Sequence, residues 1–215
     1  MHREGFLGIA VIFATKDGIL LDQLVRFWEF AARLKAEQRK GWVKKLRLQR
    51  TESVADHSFA LSLLCLFEGE RRGYNVERLL KLALLHDLEE SITGDLTPQD
   101  KESRGENIVK AQKIAAREQL LSYFPKENQR VYQELWSELE NERSKEAQLV
   151  HELDKLEMAL QANEYAKGGI EATKLKEFYE SSRAAIKDPK LKRLLDEISS
   201  PRQAQNQPDG ADYRQ

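Results

Sequence analysis

The sequence predicts an all-α protein, and three observations carry that prediction. Leu, Ala, Glu, Lys, Arg and Gln dominate the chain, and all are good helix formers. Gly and Pro number only 11 and 5 in 215 residues, so few turns are needed. Apolar residues recur three and four apart instead of alternating, which is the pattern of helices with one buried stripe. The length fits one domain of about 100–200 residues with trimmings. An apolar content of 40% suffices for its core.

The elements follow in order. Leu24, Phe27, Trp28, Ala31 and Leu34 place a first helix over 21–38, with Gly41 as its stop. The segment 41–52, GWVKKLRLQRTE, reads as a connecting loop rich in Lys and Arg. Ser53 with Asp56 three residues on has the capping-box form and opens a helix to about Arg71, ended by Gly73. Asn75 caps the next helix, read as continuous over 76–93 with Gly94 just past its end. Thr97-Pro98 reads as N-cap and first position of a further turn. Helices follow near 106–123, 127–141 and 145–167, where Gly168-Gly169 is a stop, and near 171–186 and 190–198. Residues 1–20 read as an N-terminal extension in which 6–13 could form a short strand. Residues 21–198 read as the folded domain, and the polar tail 199–215 as disordered.

Charge and composition exclude several classes. A net charge of −1 lacks the basic excess of a non-specific nucleic-acid binder, while leaving room for a local cluster that holds a small anion. The run Phe6–Thr15 falls well short of the ~20 residues that span a bilayer, so no membrane partner is expected. Its flank, His2-Arg3-Glu4, is not the purely basic start of a secretion signal. The single cysteine, Cys65, lies in the apolar run Phe59–Phe67 and reads as a core residue. With no disulfide possible within the chain, a reducing cytoplasmic location is expected.

Four polar side chains interrupt apolar helix faces. His57 sits among Phe59, Ala60, Leu61, Leu63 and Leu64. His86-Asp87 breaks the run that begins at Leu79, and Asp154 lies between Val150, Leu153 and Met158. A buried carboxylate is costly unless it is paired or bound to a cation. Imidazole and carboxylate together suit a divalent metal. Spacing alone leaves two readings open: a metal centre, or core histidines hydrogen-bonded to nearby acids.

The runs RTESVADH (50–57), LLHDLEESITGDLTP (84–98) and LVHELDKLEMALQANEY (149–165), in that order, resemble the HD-domain superfamily and, within it, the 5′-deoxynucleotidase branch. The resemblance covers about residues 20–167 and implies an HD-domain helical bundle with a metal site between helices. It assigns His57, His86, Asp87 and Asp154 as ligands of a divalent ion, which could be Mn, Co, Zn, Fe or Mg. Glu90 matches the glutamate that activates or orients the attacking water, and Asp95 a substrate-contacting aspartate. Leu96, Thr97 and Pro98 match the stretch lining the nucleotide, and Trp42 a tryptophan that excludes a ribose 2′-hydroxyl. Arg50 matches an arginine of the family motif. The implied substrate is a 2′-deoxynucleoside 5′-monophosphate, with no nucleic-acid polymer as partner, and the implied assembly is a homodimer.

The residues add their own argument. Glu90 follows His86 by four and Asp87 by three, so it shares their helical face. Lys44, Lys45, Arg47 and Arg50 cluster just before His57 as candidate phosphate contacts. One departure stands out: Gly41 occupies the position where the bacterial enzyme has an arginine, leaving Arg39 or Arg47 to replace it. His151 reads as surface or as a neighbour of the ligands, Glu89 as solvent-facing, and Trp28 and Trp136 as packing residues. Two enzyme alternatives are weaker. Alarmone hydrolases carry Glu-Asp where this chain has Glu90-Ser91, and the Gly-Tyr-Pro signature of cyclic-dinucleotide phosphodiesterases is absent. A helical binding module with a structural metal is the non-enzymatic alternative.

Overall fold

The computed structural model describes residues 16–48 and 50–199. Its helices are α1 (Lys16–Ala36), α2 (Lys40–Leu46), α3 (Val54–Arg72), α4 (Val76–Leu85), α5 (Glu90–Thr93), α6 (Pro98–Arg104), α7 (Glu106–Leu121), α8 (Lys126–Glu140), α9 (Lys145–Lys167), α10 (Ala172–Ala185) and α11 (Pro189–Ile198). Among the described residues the only β pairing is an isolated bridge between Gln38 and Ser53. It ties the end of α1 to the start of α3.

The bundle is organised around α9, which packs on α3, α4, α8, α10 and α11. Leu149, Val150, Leu153, Leu156, Ala159 and Ala162 are all buried, so apolar residues run around most of this helix rather than along one stripe. The main core joins them to Leu61 and Cys65 of α3, Leu79 and Leu82 of α4, and Trp136 of α8. Helices α3 and α4 approach closely because Gly69 has no side chain: a Cβ there would lie 2.6 Å from Cδ1 of Leu79. A smaller core gathers Trp42, Leu46, Ala162 and Leu175 beside α10.

The structure departs from the sequence expectations at specific points. The expected loop 41–52 contains α2, whose Trp42 and Leu46 are buried four apart on one face. Its N-cap residue, Arg39, makes no side-chain cap; instead Asp95 Oδ2 accepts the Lys40 backbone N–H at 2.5 Å. A cap supplied from 55 residues away is invisible to local pattern. The helix expected over 76–93 is interrupted after Leu85. Leu88, Glu90 and Ser91 donate to carbonyls three residues back, at 3.3, 3.0 and 3.2 Å, which tightens the chain through 86–89. The indole N–H of Trp136 donates to the Leu85 carbonyl at 2.9 Å, a side chain inserted into the helical ladder at the break.

Glu89, expected in solvent, is fully buried. Trp28, expected to pack, is 59% exposed, while Trp136 is buried as expected. The first helix begins at Lys16, within the expected extension. The strand expected at 6–13, His2 and the tail beyond 199 lie outside the described residues.

Candidate metal centre

The four polar intruders meet. Ser53 Oγ accepts the Asp56 N–H and Asp56 accepts the Ser53 N–H, so the capping box starts α3 in register and sets His57 in its first turns. The tightened turn after α4 carries His86 and Asp87, and the middle of α9 carries Asp154. Nε2 of His57 lies 3.2 Å from Nε2 of His86, 3.2 Å from Oδ1 of Asp154 and 3.8 Å from Oδ2 of Asp87. Nε2 of His86 is 3.0 Å from that same Asp87 oxygen.

The outer ring nitrogens explain what these atoms want. Nδ1 of His57 is 2.5 Å from Oε2 of Glu157, and Nδ1 of His86 is 2.6 Å from the Ala83 carbonyl. A carbonyl and an ionised carboxylate only accept, so each Nδ1 holds a hydrogen and each Nε2 turns a lone pair inward. Two lone pairs and two carboxylates then face one another, an arrangement that needs positive charge at its centre. Donors about 2.0–2.2 Å from one zinc-sized ion sit roughly 3–4 Å apart, which matches the spacing found. His57, His86 and Asp154 form a group whose ligand atoms lie within 4.8 Å of one another. The residues therefore fit a divalent cation.

Without a cation, local electrostatics answer the same need with a proton on His57 Nε2, which a bound metal would displace. Burial and the Arg39 charge oppose a proton on His57, yet hydrogen bonds to Asp154 and Glu157 outweigh them and push its pKa up to about 10. Burial opposes ionisation of Asp154, but Lys155 and His57 hold it well below the usual carboxylate range. Asp87 is held down in the same way, against burial, by His86 and then Arg39. Glu90 goes the other way. Burial, with Asp87 and Asp95 beside it, pushes its carboxyl up to about 9, and its Oε2 is buried without a hydrogen-bond partner.

A cavity of about 460 Å³ opens over this centre, with His86, Asp87, Glu90 and Asp154 in its wall. His57 is fully buried beneath it. Asp95, Leu96, Thr97, Pro98 and Trp42 also line it. Trp42 is only 1% exposed, stacks on Phe178 with ring centroids 3.9 Å apart, and donates its indole N–H to Glu52 at 2.6 Å. Arg39 reaches Asp87 at 3.2 Å from the cavity wall. Lys44, bonded to Asp100 at 2.7 Å, and Lys45, paired with Glu177, line the wall as well. Arg47 and Arg50 are exposed and take no part in that wall. His151 lines it too, with Nε2 2.8 Å from the Leu139 carbonyl.

Some site neighbours escaped the sequence reading. Glu157 backs His57 and lies three residues after Asp154, a spacing that could have flagged it. Glu52, partly buried, joins the buried His57 and Glu157 in a second group behind the ring. Burial, with Glu157 nearby, pushes Glu52 up to about 7. Lys113 and Arg117 of α7 also line the cavity, and as charges on an amphipathic helix they look like ordinary surface residues in sequence.

A family model described as HD domain matches residues 31–194. The chain belongs to the HD-domain family. An HD domain implies a divalent metal, in keeping with the donor set above. This HD domain is 34% identical over 191 residues to the bovine 5′-deoxynucleotidase HDDC2, covering 89% of this chain and 91% of that protein. The human 5′-deoxynucleotidase HDDC2 is 34% identical over 197 residues, covering 90% and 93%. A Dictyostelium discoideum relative of the same name is 32% identical over 192 residues, covering 85% of this chain and 100% of its own. A solved Pyrococcus horikoshii structure superposes with a TM-score of 0.62 at 31% identity, covering 83% of this chain and 98% of that one. No helix among the described residues is long and apolar enough to cross a membrane.

Proposed function

We propose that this HD domain is a metal-dependent phosphohydrolase that converts 2′-deoxynucleoside 5′-monophosphates to deoxynucleoside and phosphate. The observation that carries the reading is the convergence of four inward-facing acceptor groups beside a buried, unpartnered Glu90 carboxyl, at the base of a cavity large enough for a nucleotide. Similarity to 5′-deoxynucleotidases over most of both chains supports the substrate class.

In this reading His57, His86, Asp87 and Asp154 hold the cation. When bound, a divalent ion neutralises phosphate charge and lowers the pKa of a water from 15.7 toward about 7. Glu90, ionised by the positive charge of a bound cation, takes a proton from water and orients the water oxygen toward phosphorus, opposite a 5′-oxygen that leaves as the alcohol on taking a proton from solvent. Arg39 stands in for the arginine missing at Gly41: it is in the wall, and Asp87 holds it toward the centre. Trp42 and Leu96–Pro98 flank the sugar and base. Asp95 is anchored to the start of α2, from which its carboxylate serves a sugar hydroxyl or the leaving oxygen.

A homodimer and a cytoplasmic location belong to the same reading. Leu24, Val25 and Trp28 of α1, with Phe59, Leu63 and Phe67 of α3, are 50–68% exposed. Two apolar stripes of this kind on adjacent helices suit a second copy of the chain. The single buried thiol suits a reducing compartment.

The test is phosphate release from a panel of deoxynucleoside and ribonucleoside 5′-monophosphates, with Mn²⁺, Co²⁺, Zn²⁺ or Mg²⁺ and with chelator. Metal-dependent release, greater from the deoxy series, is expected. Failure to hydrolyse any of them with any metal would leave the binding-module alternative standing.

A further inference from the structure

Helix α7 brings two cations to the cavity, and they share one buried anion. Glu89 is fully buried. Its Oε1 accepts from Arg117 Nη2 at 2.9 Å and from Lys113 Nζ at 3.1 Å. Arg117 is committed elsewhere too: its Nη1 donates to Glu140 at 2.6 Å, and its guanidinium lies over the Trp136 ring, 5.7 Å from the centroid. Arg117 thus neutralises Glu89 by the shorter contact and is itself locked in place. Arg117 is shared between Glu89 and Glu140, whereas Lys113 bonds Glu89 alone. One of its three N–H groups bonds Glu89, while its side chain, 25% exposed, lines the cavity that also holds Asp87 and Glu90. An ammonium anchored by one bond, with two donors left for the cavity, is arranged to receive an anion.

We propose that Lys113 is a substrate-binding residue whose ammonium, anchored on Glu89, takes a non-bridging phosphate oxygen of the nucleotide and of the released inorganic phosphate. The inference rests on the nucleotidase reading for its substrate, but its chemistry is that of phosphate itself. It also fits the chain's departure at Gly41. Arg39, which replaces the arginine missing there, is shared with Asp87, and Lys113 from α7 adds a second cation to the same cavity wall. A purely structural Lys113 would serve only to help Arg117 neutralise Glu89, and its loss would then leave phosphate affinity unchanged.

The experiment measures inorganic phosphate binding by titration calorimetry on the full Mn²⁺-loaded chain, so it reads the site whether or not any nucleotide is turned over. Lys113→Met is expected to weaken phosphate binding by about tenfold or more, the loss typical of one charge-assisted hydrogen bond. Lys113→Arg is expected to stay within about threefold of the wild type, and Lys113→Gln, the more soluble replacement, to match Lys113→Met. On any deoxynucleotide that is hydrolysed, KM should rise in Lys113→Met by a similar factor. Unchanged phosphate affinity in folded Lys113→Met or Lys113→Gln overturns the proposal, as does a wild type that binds no phosphate. An inactive wild type that still binds phosphate through Lys113 overturns the nucleotidase reading alone.

Discussion

Oε2 of Glu157 lies 2.5 Å from Nδ1 of His57. That contact decides which nitrogen of the ring faces the centre. The carboxylate fixes the hydrogen on Nδ1, keeps the Nε2 lone pair inward and makes it more basic. Removing the carboxylate frees the ring to flip or change tautomer. Glu157→Gln should therefore lower divalent-metal affinity by about 10–100-fold, with helicity by circular dichroism retained. Competition of Mn²⁺ or Zn²⁺ against a chelating indicator measures it, and an affinity equal to the wild type would show that Glu157 merely fills space.

Glu90 separates binding from turnover. Its carboxyl sits beside Asp87 and Asp95, buried and with Oε2 unpartnered. Glu90→Gln keeps the shape and removes the base. Metal content, read by elemental analysis, should stay near the wild-type value, while kcat for deoxynucleotide hydrolysis falls by about 10²–10⁴-fold. Loss of metal together with activity would instead make Glu90 a ligand.

Helix periods and single-residue punctuation made much of this molecule legible. Ser53 and Asp56 announced the start of α3, Asn75 that of α4, and Gly73 the turn between them. His57, His86, Asp87 and Asp154 stood out because apolar helix faces tolerate such groups only in company. What stayed hidden was tertiary. The cap of α2 comes from Asp95, and the helix broken after Leu85 meets the indole of Trp136. Glu89 and Glu90 are adjacent, and helical spacing suggested that only one faces inward. The tightened backbone turns both into the protein, Glu89 onto α7 and Glu90 into the cavity. Basic residues near the site in sequence proved a poor guide: Arg47 and Arg50 point to solvent, whereas Lys113 and Arg117 arrive from a distant helix.

Trp42 is both wall and keystone. It stacks on Phe178, meets Tyr165 edge-on at 5.1 Å, and is bonded through Nε1 to Glu52. Trp42→Ala should destabilise the fold by about 3–5 kcal/mol, the usual cost of emptying a buried aromatic site. Trp42→Phe should be milder, but it removes the indole donor from Glu52, leaving Arg39 beside that oxygen, and opens space in the cavity wall. The ratio of deoxyribonucleotide to ribonucleotide kcat/KM should fall in Trp42→Phe while the melting temperature moves only a few degrees. An unchanged ratio would confine Trp42 to packing.

The end of α3 is fastened to α11 by charge, and this joint should give way in acid. Arg72 donates to Glu68 at 2.8 Å and to Asp188 at 2.7 Å, while Asp188 also caps α11 by accepting the Lys190 and Leu191 N–H groups. Hydrogen bonding from Arg71, and then from Arg72, lowers the pKa of Glu68. Asp188 is lowered against burial by Arg72 and the two backbone donors. Both acids therefore have folded pKa values below their unfolded values of about 4.3 and 3.9. Their contribution is fully present above those unfolded values and is lost as pH falls through the folded ones. The wild-type melting temperature should hold from pH 7 to about 5 and decline below about 4. Arg72→Met should melt lower at pH 7 and decline less steeply in acid, because the acids would then titrate nearer their unfolded values. Circular-dichroism melts across this range check it, and parallel acid slopes for the two proteins would remove Arg72 from the account.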